Sequence, residues 1–419
     1  MIRFIYNLTA WAAALYFIPR AVLRGVLADK ADFEQLGIYP RGKVDAESKS
    51  VWIHAASVGE VKIAAELIEA INKIDETRRV ALTVKTRAGK REAHRILPLE
   101  VEIRYCPYDL AIFIARAIRH FSPDRLVLVE TEIWPNLISV AAKSGVKLFL
   151  VNGRISGQSY ASYKKLGGFL SGLLHKFTGF LMQSPEDEER LIALGAERNK
   201  CQVVDNIKYD IMRRRISEIS AKEVRQELGV DQKEDIISAG STRGGEEKFL
   251  LEQFVRLKRK YPELKMIIAP RHLERVPEVE SFLRENKLTY TRRSLIVENF
   301  SEIGKDVLIL DTIGELASVY SIAQAAFIGG SLVPKGGQNP LEPVGLGIPT
   351  CFGPHMENFE RIVATLDELG LAHQVQDSQG VYEFFDKVLS NEIERPDPTE
   401  LFQRFGRAAE FSAKQVLKD

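Results

Sequence analysis

Residues Val51–Ile74 read VWIHAASVGEVKIAAELIEAINKI, and they pass from strand to helix through a turn of small residues. Val51–Ala55 is an apolar run broken only by His54. Ala55-Ala56-Ser57-Val58-Gly59 follows, and from Glu60 onward apolar residues return at helical spacing. A strand, a tight turn and an amphipathic helix in that order make one βα unit of a parallel sheet. Ligands of such sheets collect where the strands end. A phosphate loop would offer bare N–H groups there, whereas this one offers a carboxylate. Glu60 reads either as an acid in the first helical turn, favoured by the macrodipole, or as a general base for a hydroxyl.

The unit recurs along the chain. SVWIHAA, RRVALTV, DRLVLVE, VKLFLVN, TGFLMQS and KCQVVDN each read as a buried strand, with helical stretches such as LAIFIARAIRHF between them. Ile211–Val230 is charged, carries no strand signal and reads as a bridge. The alternation then restarts with DIISAGST, KMIIAPRH, KDVLILDT and AAFIGGS. The expected fold is α/β, with two Rossmann-like doubly wound domains over residues 29–210 and 232–419 and a linker over 211–231. The last helix is free to pack back on the first domain. Ligands are expected in a cleft where both sets of strand ends face each other.

Residues 1–28 stand apart. Between Arg3 and Arg20 runs FIYNLTAWAAALYFIP, without charge and with aromatics spread along it. As a helix it would be roughly 24 Å long, short for the ~30 Å hydrocarbon core. Aromatics and flanking arginines predict an anchor helix dipped into, or barely crossing, the inner face of a membrane.

Composition narrows the function classes. The 419 residues carry 58 Lys and Arg against 57 Asp and Glu, so no global field marks a nucleic-acid binder. Cys106, Cys201 and Cys351 lie far apart without CxxC spacing, which suits a reducing compartment and supports neither a disulfide framework nor a zinc site. No G-x-G-x-x-G, P-loop or HExxH pattern occurs. His94, His120, His175 and His373 read as surface or packing residues.

The strand ends carry the chemistry. In the second half, Arg271 and His272 follow a strand, and an arginine there can clamp phosphate with a forked donor pair. Ser241 and Thr242, with two glycines before a helix, suggest a backbone nest for an anion. Gly314 and Glu315 mark a turn in DTIGEL. Asn339-Pro340 opens a helix, and Glu342 in its first turn can accept from ribose hydroxyls. The first half is acidic where the second is basic: Glu60, then Glu130 and Glu132 ahead of Trp134, with Lys208 as a fixed positive charge.

Taken together, these motifs resemble those of the Kdo transferases, enzymes that add 3-deoxy-D-manno-octulosonic acid to the lipid A precursor. The matching segments include WIHAASVGEV (52–61), VETEIWPN (129–136), VNGRISGQSY (151–160), NIKYD (206–210), GSTRGGEE (240–247), PRH (270–272), DTIGEL (311–316), GGSLVPKGGQNPLEP (329–343) and GPHMENF (353–359). The resemblance implies a GT-B glycosyltransferase attached to the cytoplasmic face of the inner membrane, with CMP-Kdo as donor, lipid A precursor as acceptor, and neither cofactor nor metal. It implies Glu60 as general base and Glu130 and Lys208 as transition-state stabilisers. Ser57, Gly59 and Glu132 would lie on the acceptor side. Pro270, Arg271, Thr312, Ile313, Gly314, Glu315, Asn339, Pro340, Leu341 and Glu342 would hold CMP.

This chain departs from the family pattern at TVKTRAGKREAHR (83–95), which is unusually basic, and at Asp205, Arg243, Leu273 and Gln338. The basic run, with Arg20 and Arg24, would meet lipid phosphates or form a solvated helix face. Two rivals share the fold: a nucleotide-sugar epimerase or hydrolase without a membrane segment, and a sugar-nucleotide sensor for which Glu60 and Glu130 would be dispensable. The motifs assign no oligomeric state.

Overall fold

Parallel strands need crossover helices on both faces of the sheet, so their side chains are apolar on both sides. That condition is met twice. The computed structural model describes residues 6–8, 11–12, 31–40, 50–231, 233–296 and 305–418. The expected anchor over 1–28 lies outside the described residues except for those five. Among the described residues no helix is long and apolar enough to cross a membrane.

The first sheet is built from β1 (Ser50–Ala55), β2 (Arg79–Val84), β3 (Glu102–Tyr105), β4 (Pro123–Val129), β5 (Lys147–Gly153), β6 (Gly179–Met182) and β7 (Cys201–Val203). They pair in the order β3-β2-β1-β4-β5-β6-β7, and every pair is parallel. All six β1 residues are buried. Because side chains alternate, Val51 and Ile53 enter one core with Val61, Ile68 and Val127, while Trp52 enters the other with Phe121, Leu126 and Leu128. KCQVVDN does not form a buried strand: β7 is the sheet's edge, with Gln202 and Val203 exposed.

The second sheet comprises β8 (Ile236–Thr242), β9 (Lys265–Pro270), β10 (Tyr290–Arg292), β11 (Val307–Ile309), β12 (Ala325–Ile328), β13 (Thr350–Phe352) and β14 (His373–Gln374), ordered β10-β11-β9-β8-β12-β13-β14 and again parallel. Strands β3, β10, β13 and β14 had no counterpart in the sequence reading, since two to four residues are too few to show a period.

Six helices matter below: α1 (Val58–Ile74), α2 (Pro135–Lys143), α3 (Lys208–Ser217), α4 (Glu246–Lys260), α5 (Leu341–Gly345) and α6 (Ala408–Leu417). The chain divides into two compact units, Met1–Ile211 with Phe405–Asp419, and Met212–Arg404. The charged stretch after Ile211 is helical, in α3 and in Ala221–Glu227.

Helix α6 is part of the first unit. Ala408, Ala409, Ala413 and Val416 join the core formed by α1 and one face of the sheet. Both of its ends are tied down by charge of the sign the helix dipole favours. At the N-terminus, the Asp210 carboxylate accepts the N–H groups of Ala408 at 3.2 Å and Ala409 at 3.3 Å. At the C-terminus, Arg125, only 3% exposed, donates from Nε to the Val416 carbonyl at 2.6 Å and from Nη2 to that of Leu417 at 3.2 Å. Asp124 beside it balances the guanidinium charge. Removing Arg125 strands buried carbonyls, while Asp124 keeps Arg78 at 2.8 Å, so Arg125→Ala should cost about 2 kcal/mol. Urea unfolding should show this as a lowered midpoint, and hydrogen exchange should show lost protection across Ala408–Leu417.

Candidate active site

Glu60 lies in the first turn of α1, whose N-cap is Ser57. The Ser57 hydroxyl donates to Glu60 Oε1 at 2.7 Å and accepts from the Glu60 N–H at 3.3 Å. Glu60 Oε2 accepts the N–H of Ala56 at 2.7 Å. This is a capping box in which the glutamate reaches one residue behind the cap. The cap reading of the sequence is therefore physically present, yet it does not exhaust the residue. Glu60 is 7% exposed. Burial lifts its carboxyl above the ordinary range, the bonds from Ser57 and Ala56 pull it down, and the charges of Glu132 and Glu130 push it up again. Each oxygen accepts one bond from these neighbours and retains capacity for another.

Glu130 follows β4 with φ 58, a left-handed conformation unusual for a glutamate. Its N–H is held by the Val151 carbonyl at 2.9 Å. Its carboxylate stands 3.7 Å from Lys208 Nζ. Lys208 opens α3, and its N–H donates to Asn206 Oδ1 at 3.0 Å. Asn206 Nδ2 donates to Gln183 Oε1 at 2.9 Å, and Gln183 Nε2 donates to the Asn152 carbonyl at 2.9 Å. Asn152 Oδ1 accepts the Ile207 N–H at 2.9 Å, closing a ring over the ends of β5, β6 and β7. The sequence reading gave Asn152, Gln183 and Asn206 no role. The signal available was a polar residue at the end of each apolar run, directly after it for Asn152 and Gln183 and one position later, behind Asp205, for Asn206.

Glu132 accepts from Trp134 Nε1 at 2.7 Å, and Lys85 Nζ lies 4.3 Å above the Trp134 ring. The structure thus couples Ser57, Glu132, Glu130 and Glu60 directly or through their charges. Gly59 occupies the helix start, and the place a Cβ would take there is 3.9 Å from Ser57 Oγ. Part of the basic run is spent internally: Lys90 pairs with Glu34 at 2.8 Å and Arg95 with Glu92 at 2.8 Å.

In the second unit, Pro270 ends β9 and the Arg271 N–H is held by the Thr242 carbonyl at 2.9 Å. The Arg271 side chain is exposed and has no hydrogen bond or ion pair among the described residues. The turn from Thr312 to Glu315 is pre-ordered. Thr312 Oγ1 donates to Glu315 Oε2, Arg293 Nη2 to Glu315 Oε1 at 2.8 Å, and Arg215 to the Gly314 carbonyl. Ile313 is left 90% exposed at its tip. Asn339 Oδ1 accepts the Leu341 N–H at 3.1 Å, Pro340 is the N-cap of the short α5, and the Leu341 side chain is buried. Glu342 has no hydrogen bond or ion pair among the described residues, and burial raises its carboxyl while Arg215 pulls it down. A largely buried, unpaired acceptor is a mark of a ligand site.

The nest expected at Ser241–Gly245 is corrected. The protein's own Glu246, 0% exposed, is the anion held there, though of its four N–H donors only that of Arg243 belongs to this stretch. Oε2 accepts the N–H groups of Gly330 at 2.6 Å and Arg243 at 2.8 Å, and Oε1 those of Leu332 at 2.9 Å and Ser331 at 3.0 Å. The close approach requires Gly329, where a Cβ would stand 2.5 Å from the Ser241 carbonyl oxygen. Among the described residues no cluster of three or more His, Cys, Asp or Glu side chains is arranged to hold a metal.

Two parallel seven-stranded α/β units, with polar and charged side chains at the strand ends, are the elements of the GT-B fold. The fold is similar to the crystal structure of UDP-GlcNAc 2-epimerase from Neisseria meningitidis bound to UDP-GlcNAc, with a TM-score of 0.57 over 88% of this chain and 100% of that one. Identity there is 13%, so the likeness is one of fold alone. Residues 31–211 match the family model described as 3-deoxy-D-manno-octulosonic-acid transferase. The 3-deoxy-D-manno-octulosonic acid transferase of Haemophilus influenzae is 31% identical over 83% of this chain and 80% of its own length. A bifunctional glycosyltransferase/methyltransferase of Fusobacterium nucleatum is 35% identical over 85% of this chain, which spans only 54% of that protein. The chain belongs to the family of 3-deoxy-D-manno-octulosonic acid transferases.

Two stability measurements check the carboxylates. Glu246→Gln keeps one acceptor oxygen for four donors, so it should lower stability by about 2–4 kcal/mol in urea unfolding. Glu60 has a native pKa above its unfolded value, so the native state holds the proton longer. Its contribution to stability is then lost as pH rises through the native pKa. Glu60→Gln should melt no lower than the parent at pH 7 and flatten the dependence of melting temperature on pH above about 4.5.

Proposed function

We propose that this chain moves Kdo from CMP-Kdo to a hydroxyl of the lipid A precursor, by direct displacement with inversion, at the cytoplasmic face of the inner membrane. Within this family, the observation that carries the reading is the buried carboxylate of Glu60, which has acceptor capacity left on both oxygens. Glu60 takes the proton of the acceptor hydroxyl as that oxygen bonds to the anomeric carbon of Kdo. The bond from that carbon to the phosphate oxygen breaks, and CMP leaves with the electron pair. Lys208, steered by Glu130, offsets charge developing on the donor. Arg271 takes the phosphate, and the Thr312–Glu315 turn and Asn339–Glu342 take the nucleoside, with Glu342 accepting from ribose hydroxyls. Ser57, Gly59 and Glu132 border the acceptor sugar. Residues 1–28, with the basic Lys85–Arg95 run, hold the enzyme at the bilayer.

Mass spectrometry of a tetra-acylated lipid A precursor after incubation with CMP-Kdo should show the mass of added Kdo. Turnover of UDP-sugars without Kdo transfer would overturn the reading in favour of an epimerase. Glu60→Gln should lower kcat about 10²–10⁴-fold while CMP still binds; a fully active variant would remove Glu60 from the role of base. The base works only when ionised and its pKa is raised. The acid limb of kcat/KM should therefore lie above the ordinary glutamate range, with activity climbing as pH rises through it.

A further inference from the structure

Around the ends of β8 and β9 the charges do not balance. Arg275 is neutralised by Glu247 at 3.3 Å and Glu278 at 2.7 Å. Glu246 is consumed by four backbone N–H groups. Arg243, directly after β8, and Arg271, directly after β9, have no carboxylate partner among the described residues. Their backbones are adjacent, since Thr242 pairs with Pro270 and its carbonyl holds the Arg271 N–H.

Arg243 is nevertheless fixed. Nη1 donates to His272 Nε2, and its backbone N–H is bound by Glu246. A guanidinium only donates, so His272 Nε2 must present its lone pair. His272 Nδ1 faces Glu274 at 3.6 Å. The stem of Arg243 lies against Gly330, with Cγ 3.4 Å from the place a Cβ would take there, and Gln338 approaches the same place at 3.7 Å. Arg243 Nε is buried without an acceptor. Two arginines on adjacent backbones without a carboxylate partner, one aimed by an imidazole lone pair and carrying an unsatisfied buried donor, form a site suited to an anion.

We propose that Arg243 is a second guanidinium ligand, beside Arg271, for an anionic group of the sugar-nucleotide donor, and that His272 holds it in position. The inference rests on the donor assignment above. Two donor groups share the required chemistry, the phosphate and the sugar-acid carboxylate.

The test compares the full chain with Arg243→Gln and Arg243→Lys. Calorimetric titration with CMP and with cytidine is set beside steady-state kinetics with CMP-Kdo. Arg243→Gln should weaken CMP about 10- to 100-fold and leave cytidine unchanged if phosphate is the ligand. If the carboxylate is, CMP affinity holds while the KM for CMP-Kdo rises by a similar factor. In either case Arg243→Lys should recover part of the loss. Unchanged CMP affinity together with unchanged KM overturns the assignment and leaves Kdo transfer standing. Equal loss of CMP and cytidine also overturns it, by assigning Arg243 a structural role. A parent chain that neither binds CMP nor transfers Kdo overturns both readings.

Discussion

A parallel strand that ends leaves backbone donors without ladder partners, and in each unit a buried glutamate takes some of them. Glu246 accepts four N–H groups drawn from the ends of β8 and β12. Glu60 accepts one N–H and one hydroxyl at the end of β1. Glu342 accepts nothing among the described residues. Burial raises all three carboxyls. What separates their roles is how much acceptor capacity the fold has already used. A saturated carboxylate is a clamp, a half-satisfied one has room for another donor, and an empty one keeps all its acceptor capacity.

The strand ends also hold backbone strain. Glu130, Asn152, Asp205 and Ser241 take positive φ without being glycine, at or just past the ends of β4, β5, β7 and β8. Such conformations persist only where surrounding bonds over-determine them. Around the first three, the ring through Asn152, Gln183 and Asn206 supplies that constraint. It brings Lys208 to 3.7 Å from Glu130 on a backbone held by these bonds. Electrostatic stabilisation of developing charge depends on this kind of fixity, because the dipoles need not reorganise.

Much of this was legible in the residues. The long apolar runs declared their strands, and the alternation with helices declared a parallel sheet, because both signals are local and periodic. The acids and bases at the strand ends were visible for the same reason. The short strands β3 and β10 were not, nor was the anion nest read correctly. GSTRGGEE looks the same whether its N–H groups await a phosphate or, like that of Arg243, already hold Glu246. The basic run after β2 likewise looked free, though Lys90 is committed to Glu34.

The sequence by itself determined the βα order, the apolar faces and the chemical types at each strand end, since these follow from the period and identity of neighbouring residues. Tertiary structure alone decided which of those groups remain available. Three of the four partners that saturate Glu246 lie more than eighty positions away, at Gly330–Leu332. Arg125 caps a helix 291 positions along the chain. Hydrogen-bond capacity is spent in space, so pairing across such separations leaves no trace in local sequence pattern. At VWIHAASVGEV the two levels meet: the residues place an acid at the turn, and only the fold leaves it room to act.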